Sequence, residues 1–382
     1  MRVYAAMSDS LPHLTRDEYR RYGRHIALAE IGEDGQRRLK GASVLVIGAG
    51  GLGSPAALYL VAAGVGRVTL CDFDVVDASN LQRQVLFGTA DVGRAKTDAA
   101  ADRLRALNPH VALDTVKDRV GTGNAQTLVD AHDVVVDGSD NFTTRYLVND
   151  ACVLAGKPYV YGSIFRFEGQ ASVFHAPHGP CYRCLFPEPP PDGLVPNCAQ
   201  AGVLGALAGL VGSIQAAEAV KLILGAGTSL LGRLLLVDLH AAAFREVKLR
   251  RDPACPVCGE TPTITRAVEA AAPGCAATPS VEPRALAELL AAGSGPALVD
   301  VREAWEFETF ALPGARNVPL GDVLAAAPTL PRDRDVVVYC SVGPRGERAA
   351  ELLRGAGLER VANLSGGLAR WRDDVDPTVV VA

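Results

Sequence analysis

Val44-Leu45-Val46-Ile47-Gly48-Ala49-Gly50-Gly51-Leu52-Gly53 decides the fold of the first half of this chain. Four consecutive apolar residues read as a strand buried on both faces, as in parallel sheets. Glycines at 48, 50 and 53 then make a turn whose backbone can approach a phosphate, and the helix that begins there aims its free N–H groups at the same point. An Ala/Leu-rich helix predicted to run to Ala63 and a further strand, Val68-Thr69-Leu70-Cys71, complete a βαβ unit. Asp72, just past that strand, is placed to accept a ribose hydroxyl. So far a nicotinamide dehydrogenase and an ATP-binding enzyme fit equally well.

The residues that follow separate the two. Asn80-Leu81-Gln82-Arg83-Gln84 and Lys96 add an amide, a guanidinium and an ammonium. Hydride transfer has no need of so much countercharge, whereas displacement at a triphosphate must stabilise charge on the α-phosphate and on the leaving pyrophosphate. A strand at Val134–Asp137 leads through Gly138-Ser139-Asp140-Asn141 into a helix predicted to end near Gly156. Asp140, at the carboxyl end of a strand, is a candidate partner for Mg²⁺ or for a ribose-phosphate.

At 382 residues the chain is too long for one ordinary core. Hydrophobic residues at 48% and charged residues at 21% give a packed composition throughout. Residues 267–279 are rich in Ala, Pro and Gly without hydrophobic period, as in a linker. This predicts domains at 1–266 and 280–382. In the second, Ala297–Asp300 and Asp335–Tyr339 read as strands and Gly346–Gly355 as a helix, a smaller α/β domain. Net charge is −5 and no basic run occurs, which argues against a nucleic-acid backbone as a direct ligand. The first 21 residues carry Asp9, Asp17 and Glu18 and no apolar core, so no secretory signal is expected. The apolar run Ala201–Ile214 meets Gln215, Glu218 and Lys221 before it could span a bilayer. It reads as a buried helix of a cytoplasmic protein without a membrane partner.

Nine cysteines, an odd number, point to thiols at work rather than a disulfide framework. Cys181-x-x-Cys184 and Cys255-x-x-Cys258 have the spacing of a closed, structural Zn²⁺ site. Cys340 follows a strand and opens Cys340-Ser341-Val342-Gly343-Pro344-Arg345, a turn into a helix whose N–H groups would cradle a thiolate or persulfide anion. No His occurs after His240, so a Cys–His protease pair cannot be built in this domain. Cys198, in a Pro-rich loop, reads from its surroundings as either a buried free thiol or a working one. Cys71, Cys152 and Cys275 fall in a strand, a helix and the linker, read as packing or incidental residues, and are assigned no chemistry.

Taken in order, Arg20-Arg21-Tyr22-x-Arg24, the glycine loop, Asp72-Phe73-Asp74, Asn80 to Gln84, Lys96 and Ser139-Asp140-Asn141 resemble the MoeB/ThiF family over residues 16–260. These are bacterial relatives of ubiquitin-activating enzymes. The resemblance implies a Rossmann-like domain that binds ATP and Mg²⁺. The C-terminal Gly-Gly carboxylate of a ubiquitin-like sulfur carrier would attack the α-phosphate, giving an acyl-adenylate and pyrophosphate. It puts Gly51, Asp72, Asn80, Leu81, Gln82, Arg83, Gln84, Lys96, Asp140 and Asn141 around the nucleotide, with Arg83 and Asp140 catalytic. It further implies a homodimer in which Arg24 reaches the phosphates of the opposite subunit, the same zinc site, and a Cys198 thiol able to link covalently to carrier or sulfur.

Residues 280–375 resemble rhodaneses through Val299-Asp300-Val301-Arg302-Glu303, Trp305-Glu306-Phe307, Leu312-Pro313-Gly314-Ala315, the Cys340–Arg345 loop and Gly366-Gly367 before Trp371. The six-residue loop has the sulfurtransferase length, shorter than that of phosphatases sharing the fold. Two departures stand out: Phe310-Ala311 replaces the usual Gly-His, and Pro344 removes an N–H from the loop. The resemblance implies a Cys340 persulfide, loaded by a persulfide or thiosulfate donor, that passes sulfur to the carrier. A MoaD-like carrier in molybdopterin biosynthesis is the first expectation. A ThiS-like carrier, and the thiamine, cysteine or tRNA-thiolation pathways, are the alternatives. Two more distant readings are a non-catalytic docking role for the second domain and an NAD-dependent dehydrogenase bearing such a module.

Overall fold

The structure, a computed structural model, describes residues 11–190, 202–268, 279–293 and 295–381. They divide into two compact units, one containing 11–189 and 202–268, the other 279–381. The first is built on an eight-stranded sheet: β1 (Ser43–Ile47), β2 (Arg67–Cys71), β3 (Ala112–Val116), β4 (Val134–Asp137), β5 (Tyr159–Phe165), β6 (Glu168–Phe174), β7 (Arg233–Asp238) and β8 (Ala243–Lys248), in the order β3-β2-β1-β4-β5-β6-β7-β8. Strands β3 to β5 pair in parallel and β5 to β8 antiparallel. Val44, Leu45 and Val46 have no exposed surface, as expected of a central strand covered on both faces. The order reverses between β1 and β4, where a crevice opens at the strands' carboxyl ends.

Local chemistry makes that crevice. The helix Gly53–Ala63 starts directly against the glycine turn, and a Cβ on Gly53 would lie 1.7 Å from the Gly48 carbonyl oxygen. Only glycine lets strand and helix meet so closely. The helix Phe142–Ala155 is capped by the Asn141 side chain, which accepts from the Thr144 N–H at 2.9 Å, and it ends at Gly156 with φ 62°, where expected.

The apolar run proves longer than its sequence suggested. It forms a 20-residue helix, Gly205–Leu224, long and apolar enough to cross a membrane by length and composition alone. Here it packs on the helix Gly53–Ala63 and on β4, β5 and β6. Its polar residues find partners inside the unit: Gln215 Nε2 donates to the Asp137 and Val160 carbonyls, though its Oε1 is left without one, and Glu218 accepts from the Leu230 N–H. That is the pattern of a core helix.

The second unit has five strands, β9 (Ser280–Val281), β10 (Ala297–Asp300), β11 (Arg316–Asn317), β12 (Val336–Tyr339) and β13 (Val361–Leu364), all parallel in the order β11-β10-β12-β13-β9. The helix after β12 runs Pro344–Gly355, two residues earlier than predicted. Pro344 is its first residue, where a fixed φ suits a helix start and the missing N–H has no intrahelical partner to lose.

Candidate nucleotide cleft, metal centre and sulfur site

A cleft of about 430 Å³ lies at the crevice between β1 and β4. Gly51, Asp72, Asn80, Arg83, Gln84, Lys96, Asp140 and Asn141 all line it. Asp72 is fixed by the Ala49 N–H at 2.7 Å and the Asp74 N–H at 2.8 Å, while burial pushes its carboxyl above the usual range. Lys96 is 5% exposed, its ammonium 2.8 Å from Asp74. Arg83 donates to Asn80 Oδ1 at 2.7 Å and to the Ser79 carbonyl at 3.2 Å. A Cβ on Gly51 would meet Ala208 Cβ at 3.3 Å and the Arg83 methylenes at 3.6 Å, so the bare glycine lets the arginine stem lie over the loop.

Three residues expected around the nucleotide do not line the cleft of their own chain. Leu81 packs against the core instead. Gln82 faces the start of the helix Gly205–Leu224, its carbonyl oxygen 2.1 Å from where a Gly205 Cβ would sit. Arg24 is exposed near the end of the helix Arg16–Ile26. In the other direction, sequence reasoning missed Arg145, a cleft-lining guanidinium. The signal was present: Arg145 stands four residues after Asn141, the N-cap of the same helix, and so one turn above it.

Cys181, Cys184, Cys255 and Cys258 converge with all four sulfurs within 4.8 Å of one another. A tetrahedral Zn²⁺ with bonds of about 2.3 Å needs sulfurs about 3.8 Å apart. The separations here are 3.5 Å for Cys181–Cys255, 3.4 Å for Cys184–Cys258 and 3.9 Å for Cys181–Cys184. The Asp252 N–H points at Cys184 Sγ from 3.4 Å, as an outer-shell donor to a thiolate would. This donor set fits a closed metal site.

In the second unit Cys340 ends β12, is 1% exposed, and receives the Gly343 N–H on its sulfur at 3.1 Å. Gly343 adopts φ 110°, outside what a side chain tolerates, to turn that N–H inward. Proline at 344 therefore leaves the one observed cradle donor intact. Glu306 clamps the loop: both oxygens accept from Arg345 at 2.7 Å, and Oε1 also accepts from the Ser341 hydroxyl at 3.2 Å. Burial works against its charge, but Arg345 outweighs that and holds the carboxyl below the usual range. From beneath, the Leu368 and Ala369 N–H groups donate to the Cys340 and Ser341 carbonyls, and a Cβ on Gly367 would strike the Cys340 carbonyl oxygen at 2.3 Å. Cys198 and Cys275 lie outside the described residues, as does most of the expected linker.

A cation-lined nucleotide cleft and a cradled cysteine in one chain are the two halves of an adenylyltransferase–sulfurtransferase. The ThiF family matches residues 22–257, and the rhodanese-like domain matches 282–374. MoeZ of Mycobacterium tuberculosis, named as an adenylyltransferase/sulfurtransferase, is 46% identical over 98% of this chain and 100% of its own length. The sulfur carrier protein adenylyltransferase of Thermus thermophilus is 55% identical over 67% of this chain and 96% of its own. Among solved structures, MccB of E. coli superposes with a TM-score of 0.56 at 24% identity, over 63% of this chain and 75% of MccB, a likeness of fold. The chain belongs to the ThiF family, carries a rhodanese-like domain, and is an adenylyltransferase and sulfurtransferase. The dehydrogenase alternative falls with that membership.

Proposed function

We propose that this chain activates the C-terminal glycine of a ubiquitin-like sulfur carrier and converts it to a thiocarboxylate, with a MoaD-like carrier of molybdopterin biosynthesis as the first candidate. The reading rests on one observation above all, a buried cysteine in an N–H cradle carried on the same chain as a phosphate-directed cleft. Asp72 accepts the ribose, and the glycine loop, Asn80, Arg83 and Lys96 hold the triphosphate. Gln84, Asp140 and Asn141 complete the pocket, the exposed Asp140 carboxylate being the group that would hold Mg²⁺, which supplies countercharge to the phosphates. The carrier carboxylate attacks the α-phosphorus and pyrophosphate leaves. The terminal sulfur of a Cys340 persulfide, loaded from thiosulfate or a protein persulfide, then attacks the acyl carbon and AMP leaves. A thiol, with Cys198 the candidate in this chain, attacks the Cys340 sulfur of the resulting acyl disulfide, forms a disulfide with Cys340 and releases the thiocarboxylate, and a cellular thiol reductant then regenerates both thiols.

Zn²⁺ at the four converging thiols would hold the first unit's loops in place. A homodimer would bring the exposed Arg24 of one subunit to the other's phosphates. All seven cysteines among the described residues are free thiols, which suits a reducing cytoplasm. Domain limits at 1–266 and 280–382 fit the matched ranges. ATP–pyrophosphate exchange with a panel of Gly-Gly-ended carriers tests the adenylation step and names the pathway. A Cys198→Ala variant that forms thiocarboxylate at the wild-type rate removes Cys198 from the scheme.

A further inference from the structure

Asp137 ends β4 with no exposed surface and is not among the residues that line the nucleotide cleft. Groups from β5, from the loop that follows and from the helix Phe142–Ala155 nevertheless converge on its carboxylate. The Tyr159 hydroxyl of β5 donates to Oδ2, and the Ser139 N–H donates to Oδ1 at 2.8 Å. The Ser139 hydroxyl faces the same group. Arg145, on the helix, is the opposite charge, drawing down a carboxyl that burial pushes above the usual range.

What these groups share is one short loop. The Asp137 carbonyl accepts from Gln215 Nε2, and the Gly138 N–H donates to the Ile47 carbonyl at 2.8 Å. A Cβ on Gly138 would lie 2.8 Å from the Gly53 nitrogen, so the loop is pressed against the glycine turn. Asp137 then holds the N–H of Ser139, while Arg145 holds its carbonyl at 3.0 Å. On the far side Asn141 is fixed as the helix cap by the Thr144 N–H. Asp140, exposed in the cleft, stands between these two fixed neighbours. In a buried ion pair desolvation offsets most of the attraction, so such a pair is a poor source of stability and a good means of fixing one conformation. We propose that Asp137 is a positioning residue which, with Arg145 and Tyr159, sets the Asp140 carboxylate where it meets the cation of a bound nucleotide. This rests on the reading of Asp140 as the Mg²⁺ partner and deepens it.

The test measures the affinity of the full-length protein for α,β-methylene ATP by calorimetry, once with Mg²⁺ and once with EDTA. The ratio of the two is the gain that the cation provides. Asp140→Ala should lose most of it. Asp137→Asn, which keeps the shape of the side chain, should lower the gain about tenfold, the scale expected when a group that orients a metal ligand is removed, with affinity in EDTA within about twofold of wild type. In the double variant the gain should match that of Asp140→Ala within about twofold, because Asp137 acts only through Asp140. Tyr159→Phe, which leaves the carboxylate and its charge in place, should lower the gain about threefold, the scale of one hydrogen bond, and carries the test should Asp137→Asn not fold. Losses that add in the double variant, a wild-type gain in Asp137→Asn or Tyr159→Phe, or a loss equally large in EDTA overturns the assignment. A wild-type gain in Asp140→Ala overturns the reading of Asp140 itself, a different result from any of these.

Discussion

Replacing Glu306 by Gln removes the charge that organises the sulfur loop and little else. The side chain is 5% exposed and its partner Arg345 15%, so water cannot take over the lost interaction. Two bonds of 2.7 Å between opposite charges fall to one from the Arg345 cation to a neutral amide oxygen, and that cation keeps no counter-ion. Loss of a buried hydrogen-bonded ion pair of this kind costs about 2–3 kcal/mol. For a unit of this size the midpoint should fall by about 10 °C. Both tryptophans of the chain, Trp305 and Trp371, lie in the second unit, so tryptophan fluorescence follows its unfolding alone. The pH dependence has a fixed sign. Glu306 titrates lower folded than unfolded, so its stabilisation is complete above the unfolded value of about 4.3 and disappears as pH falls through the folded one. The gap between wild type and variant should be constant from pH 6 to 8 and close in stronger acid. Since Ser341 and Arg345 both belong to the Cys340 loop, sulfur transfer from thiosulfate to cyanide should fall at least about tenfold, a loss of about 1.4 kcal/mol in the barrier term. Equal melting curves at pH 7 with unchanged transfer would refute this account of the loop.

Lys96→Met should lower carrier-dependent pyrophosphate exchange about 100- to 1,000-fold through kcat, with little change in melting, because its partner Asp74 remains half in solvent. Stopped-assay kinetics at saturating ATP would show it, and a change confined to KM would contradict it. Cys255→Ser should reduce metal content, measured by plasma mass spectrometry, from one zinc per chain to almost none, with the first unit losing several kcal/mol; unchanged zinc would exclude these ligands. Gly53→Ala should abolish ATP binding by calorimetry, because its Cβ has only 1.7 Å to the Gly48 oxygen and the obstacle is backbone. Retained binding would show that the glycine turn can reshape.

The first unit was legible because its signals are local. A four-residue apolar strand, glycines at a turn and an acidic residue at the next strand's end each state their own geometry, and eight residues chosen for the nucleotide do line one cleft. Leu81 and Gln82 do not line that cleft, for a local reason. They share a motif with Asn80, Arg83 and Gln84, but the 3₁₀ turn Ala78–Asn80 ends there and the chain turns Leu81 to the core and Gln82 to the helix Gly205–Leu224, leaving 80, 83 and 84 on the crevice. Arg145 was overlooked because a charged residue in a helix reads as surface, although its place four residues after Asn141 carried the signal. The apolar helix was cut short by Gln215 and Glu218, polar residues whose partners are backbone groups that sequence cannot show: carbonyls of the distant strands β4 and β5 for Gln215, and the Leu230 N–H in the following turn for Glu218. In the second unit Pro344 looked like a defect of the cradle. Its place at the first helical position, with Gly343 donating to sulfur, depends on a backbone angle that no residue pattern spells out.

The most direct test supplies the purified chain with ATP, thiosulfate and each Gly-Gly-ended carrier in turn, and follows pyrophosphate exchange and carrier mass for wild type and Cys340→Ser. The account predicts exchange with one carrier in both proteins, and a mass gain equal to one oxygen replaced by one sulfur only where Cys340 is present. Exchange with no carrier, or thiocarboxylate formed equally well without Cys340, would contradict it.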